Sequence, residues 1–120
     1  MKSSLLFALM AISSIACSQA RLTCNDLPQK FDSYIDATSQ VEHADFKFTD
    51  EVEPDQSSWI YSANYYSCDG QYGFMIYTTR SRKYIHANMP KSVWMSFKNA
   101  SSLGSFYNTN IKGRYRLLPE

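Results

Sequence analysis

SWIYSANYYSCDGQYGFMIYTTRSRKYIHAN, residues 58–88, is the stretch whose reading decides the fold. At its centre stands Asp69-Gly70, a dipeptide that favours the tight turn of a β-hairpin. Aromatic and β-branched residues flank it, from Ser58 to Tyr65 on one side and from Tyr72 to Thr79 on the other, and such side chains suit a pleated, half-buried surface. The polar TRSR then leads into a third stretch, Lys83 to Asn88, so three consecutive antiparallel strands are predicted. Side chains alternate along a strand, which places Arg82, Tyr84, His86 and Asn88 on one face. A guanidinium, an aromatic ring and an imidazole in a row suit stacking and anion contacts, and this face is the first candidate binding surface.

Working outward, Met89-Pro90 ends the third strand, because proline cannot donate to a ladder but fits the first turn of a helix. Val93, Trp94, Phe97 and Ala100 then line one helical face. Ser101 or Ser102 caps a second helix with Leu103, Phe106, Tyr107 and Ile111 on its apolar side, and Gly113 stops it. Toward the N-terminus, Leu27, Phe31, Tyr34 and Ile35 predict one short amphipathic helix from Asp26 to about Thr38, capped by Asn25 or Asp26. EHADFKFTDEVEPDQSS, residues 42–58, reads as a polar linker whose DFKF alternation suggests a short edge strand. The expected fold is α+β: a small antiparallel sheet of about three strands packed with two C-terminal helices, preceded by one N-terminal helix and an acidic linker.

From residue 58 to 118 the order of landmarks resembles the KTSC domain, a family named for a segment at the C-terminus of some lysyl-tRNA synthetases. The resemblance is carried by Ser58, Ile60 and Tyr65, by Phe74 and Ile76, by Tyr84, and by Met89-Pro90. Its specific part is the block Ala100, Ser102, Gly104, Phe106, Tyr107, Asn108, Ile111, Lys112, Gly113 and Tyr115. Three positions depart from the family pattern: its Tyr-x-Tyr reads Tyr84-Ile85-His86, a turn glycine is Ser81, and a second-strand aromatic is Thr78. The resemblance implies a binding module without an established activity, for which RNA has been suggested as a ligand.

The chain is 120 residues long, one domain by size, and small enough to need a covalent staple. Lys2 precedes an apolar run of about a dozen residues, Leu5 to Ala16, which reads as a secretory signal and is too short to span a bilayer. Two endings fit it. Ser18 and Ala20 suit cleavage before Arg21, giving a signal peptide of residues 1–20, whereas Ser14-Ile15-Ala16-Cys17 is a loose lipobox with a lipid anchor at Cys17. Either ending sets Cys17 aside and leaves Cys24 and Cys68, which an oxidising compartment would join; two buried thiols is the other reading. The bridge would close a loop of about 45 residues, worth roughly 4 kcal/mol in the chain-entropy model.

Charge divides the mature chain. Residues 21–58 hold three cations and nine acids, a net of −6, and residues 59–120 hold eight cations and two acids, a net of +6. The division suggests an acidic N-terminal arm, residues 21–57, and a basic KTSC-like body, residues 58–120, with the arm either lying on the body or leaving it open to an anionic partner. Lys112 and Arg114 would border the Tyr84 face. Asn108 has two readings, an amide that holds the last helix or a member of the site. His43 and His86 have no neighbouring nucleophile or carboxylate in a recognisable arrangement, so neither an enzyme, a metal site nor a cofactor is expected. The leading expectation is an exported, non-catalytic module, periplasmic or secreted, that recognises a protein or an anionic envelope component. Nucleic-acid binding and inhibition of a toxin acting outside the cytoplasm are the alternatives.

Overall fold

The structure is a computed structural model that describes residues 21–54 and 58–117, so the expected signal segment and Cys17 lie outside the described residues. Four strands, one more than expected, form an antiparallel meander: β1 (Phe48–Val52), β2 (Ser62–Ser67), β3 (Tyr72–Thr78) and β4 (Lys83–Pro90), in that spatial order. The additional strand comes from the acidic linker. Phe48, Asp50 and Val52 alternate inward along β1, and the inward carboxylate is satisfied at a distance. Asp50 accepts from the Trp94 indole and from the Lys98 ammonium, each at 2.8 Å. The DFKF alternation hints at a short edge strand up to Phe48, but partners more than forty residues away are invisible to local pattern, so beyond Phe48 the run looks like a linker on paper.

The N-terminal helix also begins later than its spacing implies. It is α1, Tyr34–His43, and Ser33 caps it by accepting from the Asp36 amide at 3.0 Å. That capping interaction fixes the start, and Ala37 and Val41 become the buried positions while Tyr34 and Ile35 face outward. Leu27 and Phe31 still pack against the sheet, but from the segment before the helix. Beyond β4, Pro90 leads into α2 (Lys91–Lys98), and Ser102 caps α3 (Leu103–Phe106), which widens into a π-helical turn at Tyr107–Ile111.

The sheet has a core on each face. On one, Tyr65, Met75, Tyr77 and Met89 meet Ile60, Trp94, Phe97, Tyr107 and Ile111. Tyr65 stacks on Trp94 with ring centroids 5.3 Å apart and donates to the Met89 carbonyl at 2.7 Å. Burial, aided by the Asp69 charge, pushes its phenol up to about 12. On the other face Ile76 and Ile85 meet Phe31, Ala37 and Val41. α3 approaches closely at Gly104, where a Cβ would run into the Trp59 indole.

One residue makes this division possible. Between Gly73 and Met75 the β3–β4 register shifts, so that Ala87 and Asn88 together oppose Phe74. Asn88 takes φ 55°, the left-handed conformation a bulge of this kind requires. Without it Met89 would share the face of Ile85; with it Met89 joins Trp94 and Phe97. The same bulge removes Asn88 from the face shared by Arg82, Tyr84 and His86, correcting the four-residue row expected from alternation.

Cys24 and Cys68 are disulfide-bonded, their Cα atoms 5.8 Å apart. The bond anchors the N-terminal segment beside the β2–β3 turn, where the Asp69 carboxylate accepts from the Gln71 and Tyr72 amides at 2.8 and 2.9 Å. Among the described residues, no helix is long and apolar enough to cross a membrane.

Candidate functional site

β4 is an edge strand, and a cleft of about 870 Å³ opens along it. One wall is α1, with Tyr34, Ile35, Thr38, Ser39, Glu42 and His43; the other is formed by Tyr77, Tyr84, His86 and Tyr107, with Arg116 and Leu117 at one end. Arg82, Lys83, Tyr84, Ile85 and His86 all line it. Lys83 to His86 are four consecutive strand residues that alternate between two faces, so a cleft that touches them all must wrap around the strand's edge.

The floor is a column of rings. Tyr77 stacks on Tyr84 at 5.0 Å and on His86 at 5.9 Å between centroids, and Trp59 meets Tyr77 and Tyr107 edge-on. Cross-strand register explains the stack, since Tyr77 opposes Tyr84 and Met75 opposes His86 on the same face. Arg82 extends over the Tyr84 ring with its guanidinium carbon 5.8 Å from the centroid. Tyr84 is 38% exposed, Tyr34 51% and Ile35 83%, an unusual amount of large apolar surface around one opening.

Hydrogen bonds lock the floor. His86 Nδ1 lies 3.0 Å from the Tyr115 carbonyl, which can only accept, so this nitrogen carries a proton. In the neutral ring Nε2 then accepts from the Tyr107 hydroxyl at 3.0 Å, and Tyr107 in turn accepts from the Tyr77 hydroxyl at 3.0 Å. Burial, which favours the neutral ring, lowers the His86 pKa despite the opposing effect of the Tyr115 carbonyl. Burial, then the Tyr107 hydroxyl, raises that of Tyr77. With both nitrogens engaged, His86 offers a ring face to the cleft. Across the opening, Lys83 on β4 pairs with Glu42 on α1 at 2.8 Å.

Of the residues singled out in the sequence, Arg82, Tyr84 and His86 come together here. Lys112 and Arg114 are exposed beyond the π-helical turn and do not line the cleft. Asn108 is also exposed and borders a different groove with Ser58, Trp59 and Ser102. The amide that binds the helix backbone is its neighbour Asn110, which donates to the Phe106 carbonyl at 3.2 Å. Sequence reasoning missed the α1 wall, because it placed Tyr34 and Ile35 on a buried face. It also treated Tyr107 as a landmark of the last helix without linking it to His86.

The Cys24–Cys68 end of the sheet is remote from this opening, and Asn88 faces a second, more polar hollow there, with Asn25, Asp69 and Tyr72. No curated protein and no solved structure matches the chain. The sequence model of the KTSC domain matches residues 76–115. The matched residues include Tyr77, Tyr84, His86 and Tyr107 but neither α1 nor residues 58–75, which the resemblance in the sequence also takes in. By that match the chain carries a KTSC domain at residues 76–115, and the floor of the cleft belongs to it while the α1 wall does not.

Proposed function

We propose that the protein is an exported, non-catalytic binding module whose β4 cleft takes a protein or an envelope component that joins an apolar body to negative charge. The observation that carries this reading is the exposed trio Tyr34, Ile35 and Tyr84 gathered around one opening with Arg82 at its rim. Apolar surface of that kind favours a partner, and the guanidinium over Tyr84 selects an anion. The test is titration of the disulfide-bonded chain with dodecyl phosphate and with dodecyltrimethylammonium, followed by amide chemical shifts. The anionic amphiphile is expected to bind more tightly and to shift residues 82–86, with Arg82→Ala weakening it a few-fold. Equal binding of the two amphiphiles, or shifts confined to other surfaces, would remove the assignment. Tight binding of homopolymeric RNA with a steep salt slope would favour the nucleic-acid alternative instead.

A further inference from the structure

The edge of β4 is fixed in phase by two hydrogen bonds. The Arg82 carbonyl accepts from the Thr79 amide at 2.9 Å and so points toward β3. The Ala87 amide donates to the Tyr115 carbonyl at 3.2 Å and so points away from β3. In an antiparallel strand the backbone groups alternate in direction with a two-residue period. Lys83, Ile85 and Ala87 therefore present their N–H and C=O groups outward, and Tyr84 and His86 present theirs to β3. Ala87 is paired with the Tyr115 segment. At Lys83 and Ile85 no outward partner occurs among the described residues, and this part of the edge lies within the cleft.

From this arrangement we infer that the cleft is a strand-addition site, in which an extended, acidic peptide segment pairs with the Lys83 and Ile85 backbone. The inference rests on the binding-module reading above and names its occupant. A strand added here would send alternate side chains to the two sides of the sheet. On one side stand Tyr34 and Ile35, and on the other Tyr84 and Tyr107, so both phases of the added strand meet apolar surface. The peptide's centre should accordingly be apolar. Its flanks face cations, with Arg82 at the start of β4 and Arg116 in the segment that holds Ala87, both of which line the cleft. This charge complementarity selects acidic flanks and opposes a second copy, because antiparallel pairing of two β4 edges would set the cations near one end against those near the other. Tyr115 already shows the edge accepting backbone pairing at its next outward position.

The experiment uses the full disulfide-bonded chain, a displayed library of random octapeptides, and dodecyl phosphate as a separate probe. Selected peptides are synthesised plain and with alternate backbone amides N-methylated in each phase. The expected result is enrichment of acidic residues around an apolar centre, with loss of about tenfold or more in affinity for one methylation phase. Amide hydrogen exchange should slow at Lys83 and Ile85, leaving Tyr84, whose N–H already faces β3, unchanged. Peptides that bind equally well in both N-methylated forms, or that protect other amides, would overturn the inference. No peptide enrichment, with dodecyl phosphate still bound at residues 82–86, would overturn strand addition but leave the binding-module reading intact, whereas failure of both probes would remove both. Concentration-dependent dimers that protect Lys83 and Ile85 without peptide would make a second copy the occupant and likewise overturn it.

Discussion

His86 Nε2 lies 3.0 Å from the Tyr107 hydroxyl, and in the neutral ring the bond runs in one direction, from Tyr107 to His86. The other nitrogen is committed to the Tyr115 carbonyl. The arrangement therefore ties β4 to the π-helical turn and to the chain beyond Gly113, whose φ of 78° turns the backbone toward the sheet. A proton on His86 would leave two hydroxyl protons and an imidazolium N–H competing along the same short row.

This makes stability sensitive to mild acid. Burial holds the His86 pKa below its ordinary 6.5, so between the two values the unfolded chain binds more protons than the folded one. Stability is fully present above about pH 6.5 and declines as the pH falls through that value toward the folded pKa. Thermal melts across this window should show the decline in the wild type and not in His86→Phe. An equally steep decline in the variant would assign the effect to another group.

Tyr107→Phe should cost about 1–3 kcal/mol, because it strands the buried Tyr77 hydroxyl and the His86 acceptor together. Denaturant titration measures it. In a double-mutant cycle, adding Tyr77→Phe to Tyr107→Phe should cost less than Tyr77→Phe alone, since the Tyr77 donor has already lost its partner. Additive losses would mean that the hydroxyl row contributes nothing as a unit.

Asp50 is one of the points where the acidic and basic halves meet, the Glu42–Lys83 pair being another. Burial alone would raise its pKa, but bonds from Lys98, Trp94 and the Glu51 amide outweigh it and the net shift is downward from 3.8. Its contribution is present above about pH 3.8 and is lost as the pH falls below that toward the folded value. Asp50→Asn should destabilise the fold at neutral pH by roughly 1–3 kcal/mol and flatten this acid limb. A neutral-pH stability equal to the wild type would show that β1 is held by its backbone ladder and apolar contacts alone.

Gly73→Ala should be among the most damaging of small substitutions, at a cost of at least about 2 kcal/mol. A Cβ there would run into the Tyr66 backbone carbonyl of the paired strand, which cannot rotate aside as a side chain can. Circular-dichroism melts would show it, and an unchanged midpoint would contradict the close approach of β2 and β3.

Cys68→Ser should lower stability by a few kcal/mol through the 44-residue separation that the bond spans. Non-reducing peptide mapping should recover Cys24 joined to Cys68, and free thiols in the folded protein would refute the bond.

The elements written in local pattern were legible. Asp69-Gly70 announced the β2–β3 turn, Pro90 announced the start of α2, and Gly113 announced the reversal after the last helix. Elements decided by distant partners were less so. β1 was legible only in part, because the DFKF alternation suggests an edge strand but ends at Phe48, where β1 begins, and Asp50 looks like a linker residue until Trp94 and Lys98 are folded against it. α1 was misplaced because Leu27, Phe31, Tyr34 and Ile35 have helical spacing by coincidence, and the Ser33 cap overrides it. For the site, alternation found Arg82, Tyr84 and His86 but not the α1 wall, since no periodicity records that a second element will stand beside a strand's edge.

Asn88 carries a consequence out of proportion to its exposed side chain. Because the extra residue inverts inward and outward for everything that follows it on β4, its side chain is dispensable but its place in the count is not. Asn88→Gly keeps both the count and the left-handed backbone, whereas deleting one residue would turn Met89 away from Trp94 and Phe97 and rotate the start of α2 off its seat. The protein's two cores thus share a single counting frame, and the chain keeps that frame with one amino acid.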